Sequence, residues 1–254
     1  QFGQNIVEFP VMRRQLMKQM LPTEQALSMF LFPGHIMAQA NQGDATAESL
    51  VRILTPLLKF RACRDNVPVA TGAMEVRGGN GYVEDWVNAR LIRDAQVGLL
   101  WEGTSNINAL DVITRAIAKV RAHYTLAGTL QDKIDDAPDI PGQFQGLLSA
   151  QVERAFAFAD EVAGDPAQED KARMATNALY HAASAVLLAW EGATVGAAGG
   201  DARRLLLSRM VVDNRLLPQD PLAAGENRFA KAAATLLLQD DPVPLAQVRD
   251  TLAL

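Results

Sequence analysis

The sequence predicts an all-α protein on three observations. Strand signals are scarce, apolar residues recur at three- and four-residue steps, and clusters of Gly, Pro and Asp cut the chain into helix-length pieces. Aromatic residues are only 6% of the chain, and there is no sustained polar/apolar alternation flanked by hairpin dipeptides. No fixed repeat period is present, which argues against a solenoid.

The elements follow in order. Phe9, Met12, Leu16 and Met20 keep the spacing of an amphipathic helix. Pro22 and Thr23 should break and recap it, so that a second helix begins near Thr23, with Glu24 at its positive dipole end. Pro33-Gly34 should kink or split that helix. After Asn41-Gln42-Gly43-Asp44, a third long helix should start near Thr46 and reach a glycine corner, with Val51, Leu54, Leu58 and Ala62 on one face. Pro56 and Pro68 should bend it, because an internal proline removes a donor and clashes with the preceding turn at a cost of about 3 kcal/mol. A fourth helix should cover residues 105–121 and carry Ile107, Leu110, Ile113 and Ile117. Together these make a helical bundle over residues 1–128.

Residues 129–142 hold Asp132, Asp135, Asp136, Pro138, Asp139 and Pro141, a composition that reads as a linker. Residues 143–254 then read as an additional helical domain. Leu148, Val152, Ala155, Ala159 and Val162 form one heptad-like stripe, and Leu179, Ala183, Val186 and Trp190 form a second after Gly164-Asp165-Pro166. These two helices should pair antiparallel. Asp201 should cap a helix running to about residue 216, residues 218–225 should be loop, and short helices should follow at 226–238 and 244–252. The Ala-rich runs read as helix filler.

Totals limit the function. The 254 residues, 49% of them hydrophobic, suffice for one large or two small cores. A net charge of −5 offers no general attraction for nucleic acid or an anionic membrane. Residues 121–254 contain 12 Lys and Arg against 18 Asp and Glu, so nucleic acid is not an expected partner, although Arg203, Arg204, Arg209 and Arg215 fall on one helix. The lone Cys63 cannot form an internal disulfide, and a cytoplasmic location is expected. No apolar run reaches membrane-spanning length. His35, His123 and His181 lack ligand spacing, so no metal site is expected, and neither a nucleophile elbow nor a phosphate-binding loop motif is found.

Two motifs carry the candidate chemistry. Gly78-Gly79-Asn80-Gly81-Tyr82 is a corner in which glycines allow positive φ and close approach of another group. Trp101-Glu102-Gly103-Thr104-Ser105-Asn106 places a carboxylate between a large ring and a glycine turn, where burial beside Trp101 would raise its proton affinity. Read locally, Glu102 is an ordinary surface or capping carboxylate, Trp101 a core aromatic and the corner a helix stop.

Taken with Phe2-Gly3, Arg90-Leu91-Ile92-Arg93-Asp94-Ala95 and the stretch to about Lys119, these motifs resemble the carboxy-terminal helical domain of the acyl-CoA dehydrogenase flavoproteins. Leu54-Thr55-Pro56-Leu57-Leu58-Lys59-Phe60, Pro68, Met74-Glu75-Val76 and the Trp at 101 are most similar to the alkylation-response, AidB-type branch. The resemblance covers nearly half the chain, which therefore reads as the carboxy-terminal part of a longer, FAD-dependent enzyme.

The resemblance implies roles. Glu102 would be the base that removes the proton alpha to an acyl-CoA thioester, with FAD accepting hydride from the beta carbon. Trp101 and Gly103 would face the acyl substrate. Phe2, Gly78, Gly79, Thr104 and Asn106 would contact FAD, which the family binds across a homodimer or within a homotetramer, and electron-transfer flavoprotein is an implied acceptor. Glu75 departs from the family's Gln and would repel pyrophosphate if it faced the cofactor. Arg90, Arg93 and Asp94 read as ion pairs that brace the corner. The isolated chain is expected to be inactive. The alternatives are an alkylation-response flavoprotein that protects DNA, and an acyl-CoA oxidase that passes electrons to oxygen.

Overall fold

The computed structural model describes residues 3–220, 222 and 227–254. Among these residues there is no β-strand, and the chain is all-α. Helix α1 (Pro10–Ala40) and helix α2 (Ala45–Val76) form a long hairpin closed by Asn41–Asp44. The hairpin is antiparallel, since Gln15 near the start of α1 meets Glu75 at the end of α2. Asp44 begins α2 by accepting a hydrogen bond from the Ala47 amide at 2.9 Å.

Neither proline pair breaks its helix. Pro22 and Pro33 lie inside α1, and Pro56 and Pro68 lie inside α2. The expected break at Pro22-Thr23 and split at Pro33-Gly34 are therefore absent. Pro22, Pro33 and Pro56 are buried in the packed faces, so packing offsets the lost donor. The Thr23 hydroxyl also donates to the Gln19 carbonyl at 2.8 Å, adding a bond in the turn that Pro22 weakens.

The glycine corner is one helical turn, α3 (Gly79–Tyr82), and leads to α4 (Asn88–Gly98), which packs on α2. Helix α5 (Ser105–Asp111) continues into a π-helical turn over Val112–Ile117. Helix α6 (Ala122–Asp136) follows directly and runs well into the stretch 129–142. That stretch is thus no open connector up to Asp136. The acidic residues lie on the exposed side of α6, while Leu126, Leu130 and Ile134 are buried on the other.

Helices α7 (Gly142–Gly164), α8 (Ala172–Ala197) and α9 (Arg203–Val211) come next, with a π turn over Val212–Leu216 after α9. Helices α10 (Arg228–Leu237) and α11 (Leu245–Leu252) end the chain. The α7 stripe is buried as its spacing implies. Helix α8 is buried all round, with every residue from 179 to 189 inside. It touches α1 and α2 as well as α6, α7 and α9. One apolar core consequently runs from Met17 to Leu252 through both halves of the chain.

Small residues in α8 set its packing. A Cβ at Gly192 would collide with the Leu205 amide of α9, so the glycine lets the two backbones meet. Polar ties add register. The Gln25 amide of α1 reaches His181 Nδ1 at 3.0 Å and Ser184 Oγ at 2.7 Å. Arg204 of α9 holds Glu24 at 2.8 Å and Glu191 at 2.5 Å.

Candidate functional site

The corner grows from the end of α2. Gly78 adopts φ 59° and ψ −139°, a region essentially reserved for glycine. A Cβ at Gly81 would strike the Met74 carbonyl oxygen, so the turn folds back onto α2 only with glycine there. Gly78 and Gly79 are exposed, and beyond the adjacent backbone no atom lies within 4 Å of where their Cβ atoms would stand. Their backbone is open to a ligand or a partner. A groove of about 450 Å³ runs beside the corner between α1 and α2, lined by Gln15, Lys18, Gln19, Thr71 and Glu75 among others. Glu75 accepts a hydrogen bond from Gln15 Nε2 at 3.0 Å, so its carboxylate is tied to α1.

The expected brace has a different partner set. Arg93 bonds Glu84 at 2.9 Å, joining the segment after the corner to α4, and this donation holds the Glu84 carboxyl below its ordinary value and raises Arg93. Arg90 pairs with Asp94 at 3.4 Å. Both pairs are exposed.

The Glu102 loop leaves the end of α4. Lys59 of α2 donates to the Gly98 carbonyl at 2.6 Å and pins the start of the loop. Glu102 adopts φ 55° and Gly103 φ 92°, consecutive left-handed residues. Asn108 Nδ2 donates to the Gly103 and Thr104 carbonyls, each at 2.9 Å, and fixes the turn from the α5 side. Glu102 is exposed and Trp101 is 62% exposed. The expected burial of Glu102 beside Trp101 is therefore absent in this chain, because both side chains lie on the outer side of a loop pinned from within. Thr104 and Asn106 are exposed on the same segment.

The two motifs do not adjoin. The loop meets α2 near residues 59–64, whereas the corner follows Val76, which places them about 20 Å apart at 1.5 Å per helical residue. Phe2, the remaining expected FAD contact, lies outside the described residues.

Two arginines missed in the sequence border the loop. Arg64 of α2 reaches Ser105 Oγ at 3.4 Å, and Arg173 of α8 donates to Asn106 Oδ1 at 2.9 Å. The neighbouring Arg61 is spent on Asp65 at 2.7 Å and on Asn177. Partial burial, then Arg173 and Arg61, pull the Arg64 guanidinium below its ordinary value. One local signal existed, since Asp65 is claimed by Arg61 at i,i+4 and its sequence neighbour Arg64 is left over. Arg173 gave none, being 67 residues from Asn106.

The arginines of α9 are half-buried and paired with carboxylates, whereas Arg215 of the π turn is exposed. Arg203 binds Asp201, Arg204 binds Glu24 and Glu191, and Arg209 binds Asp213 at 2.8 Å. Among the described residues no group of three His, Cys, Asp or Glu could hold a metal ion, and no helix is long and apolar enough to cross a membrane.

A family model described as "Acyl-CoA dehydrogenase, C-terminal domain" matches residues 1–118. That match takes in just under half of the chain. The AidB protein of Escherichia coli strain K12 is 34% identical over 125 residues, 49% of this chain and 23% of its own length. Acyl-CoA dehydrogenase family member 11 of Caenorhabditis elegans is 32% identical over 114 residues, 44% of this chain and 18% of its own. This chain thus spans about a fifth of the length of those curated relatives.

Two solved structures extend the likeness to the second half at the level of fold. ACDH-11 of Caenorhabditis elegans, in complex with C11-CoA, superposes with a TM-score of 0.72 at 20% identity, covering 87% of this chain and 39% of that one. An acyl-CoA dehydrogenase from Bacillus anthracis complexed with FAD gives 0.68 at 16% identity, covering 100% and 50%. The α7–α11 segment therefore packs on the first half within a fold that both solved structures share.

The exposed donors around the two motifs, one of them from α8, suit an oxygen-rich anion. Bare backbone at Gly78 and Gly79, exposed hydroxyl and amide groups at Thr104 and Asn106, and the guanidiniums of Arg64 and Arg173 are donors for phosphate and ribose oxygens.

Proposed function

We propose that this chain is the base-bearing and flavin-contacting carboxy-terminal part of an FAD-dependent dehydrogenase that introduces an α,β double bond into an acyl-CoA thioester. The observation that carries the reading is the presentation of Glu102. It is a non-glycine residue held at left-handed φ with its side chain exposed, and among the described residues no group hydrogen-bonds or pairs with its carboxylate. Such backbone costs free energy and persists where the side chain must point in a fixed direction.

In this reading Glu102 takes the α-proton onto a carboxylate oxygen. Trp101 and Gly103 shape the acyl end of the pocket, and Gly103 lets the chain turn so that Thr104 and Asn106 lie toward the flavin. When bound, FAD supplies the acceptor for the β-hydride. The separation of the glycine corner from Glu102 supports an assembly of at least two copies, in which one copy's Phe2, Gly78 and Gly79 serve a flavin beside another copy's Glu102. Exposed Tyr82, Trp86, Val87 and Leu91 next to the corner are suited to such a contact.

The test is Glu102→Gln in the full-length protein. Acyl-CoA oxidation should fall by about two to four orders of magnitude while FAD remains bound. Turnover within twofold of the unsubstituted protein would remove Glu102 as the base. Running the assay with electron-transfer flavoprotein, and separately with oxygen and a peroxide readout, distinguishes a dehydrogenase from an oxidase.

A further inference from the structure

Three cationic side chains converge where α2, α5 and α8 meet, and only one has a carboxylate. Arg61 is neutralised by Asp65. Arg64 and Arg173 reach consecutive residues, Ser105 and Asn106. Among the described residues neither forms an ion pair with Asp or Glu within 4.0 Å. Two guanidiniums held near one another without a counter-charge repel, and one neutral hydrogen bond from each is all that the fold sets against this. An anion between them would relieve the repulsion and accept a charge-assisted hydrogen bond from each. Thr104 contributes an exposed hydroxyl on the same segment.

We propose that Arg64 and Arg173, with Ser105 and Asn106, form a phosphate clamp for the pyrophosphate of an adenine dinucleotide, so that α8 in the second half of the chain completes the cofactor side of the first. This rests on the proposed flavin function for its ligand, though not for the existence of an anion site. Asn106 Oδ1 is already held by Arg173, which leaves its Nδ2 as a further donor. Arg173 thereby acts both directly and as a positioning residue for Asn106. The clamp also gives α7–α11 a role in binding, beyond packing on the first half.

The experiment has two arms on folded protein, with Arg64→Gln and Arg173→Gln checked by circular dichroism melts. In the first, inorganic pyrophosphate is titrated calorimetrically into the 254-residue chain. One saturable site should appear, weakened about tenfold or more in each variant. In the second, the full-length protein is titrated with FAD, riboflavin and coenzyme A. Affinity should fall for FAD and stay unchanged for riboflavin, which lacks the phosphates. A fall for coenzyme A alone would keep the clamp and reassign it to the substrate. Pyrophosphate binding without FAD binding would keep the clamp and overturn the flavin reading. FAD binding that is equal in all three proteins, with no saturable pyrophosphate site, would overturn the clamp and leave the flavin reading standing.

Discussion

Glu102 combines the conformation least expected of its residue type with the chemistry the chain is proposed to perform. Its φ of 55° costs a side-chain-bearing residue about 1 kcal/mol, and the exposed side chain returns no contact to offset this. Glu102→Gly should therefore raise the stability of this chain by about 1 kcal/mol, read as a higher midpoint in urea, while removing activity from the full-length protein. Glu102→Gln keeps the Cβ and should leave the midpoint unchanged. If both substitutions left it unchanged, the left-handed turn would carry no strain. The motif around Glu102 was legible because the glycine turn is local in sequence. Its exposure was not, because whether Trp101 covers it depends on how Lys59 and Asn108 pin the loop. Arg173 was invisible for the same reason, as nothing local ties it to Asn106.

The helices were legible to within a few residues wherever a side-chain cap or a turn cluster punctuates the chain, as at Asp44, Asn227 and Gly164-Asp165-Pro166. They were misjudged where packing overrides local preference. Pro22 and Pro33 signal breaks, yet their burial keeps the 31-residue α1 whole. Helix α6 was hidden because its acidic outer face resembles a linker once its buried Leu126, Leu130 and Ile134 are overlooked. The stripe of α8 was legible, but its Ala residues read as filler, whereas they are what permit burial on every side. Gly192→Ala tests that account. The new methyl would meet the Leu205 backbone, which cannot yield as a side-chain tip can, so we expect a loss of about 2 kcal/mol by chemical denaturation. Gly146→Ala in α7, where a Cβ meets open space, should be neutral or slightly stabilising.

At the scale of the molecule, the two halves share one core and one set of buried polar ties, and this predicts both a pH dependence and a folding unit. His181 is buried against Gln25, and burial, then the charges of Arg61 and Arg215, push it well below its ordinary value. Burial also lowers His123, outweighing Asp160. Each ring is neutral in the folded state at pH 7, so the unfolded chain binds more protons at lower pH. Stability should be flat above about pH 7 and fall as pH drops through about 6.5 toward the depressed folded values, by about 1.4 kcal/mol per unit of depression. His181→Gln should flatten part of that acid slope. The folding unit is tested by a chain ending at residue 128, where the sequence suggests the first bundle stops. Such a chain keeps α1, α2 and α5 but loses about half of α6 and all of α8, which pack on the hairpin of α1 and α2. It would also leave Gln25 without His181 and Ser184, Arg61 without Asn177, and Glu24 without Arg204. We expect it to lose cooperative thermal unfolding and near-ultraviolet dichroism and to bind a hydrophobic dye, as a chain with helices but no fixed packing does. A sharp melt within a few degrees of the 254-residue chain would instead establish residues 1–128 as an independent domain, with the second half an addition that the acyl-CoA dehydrogenase fold does not need.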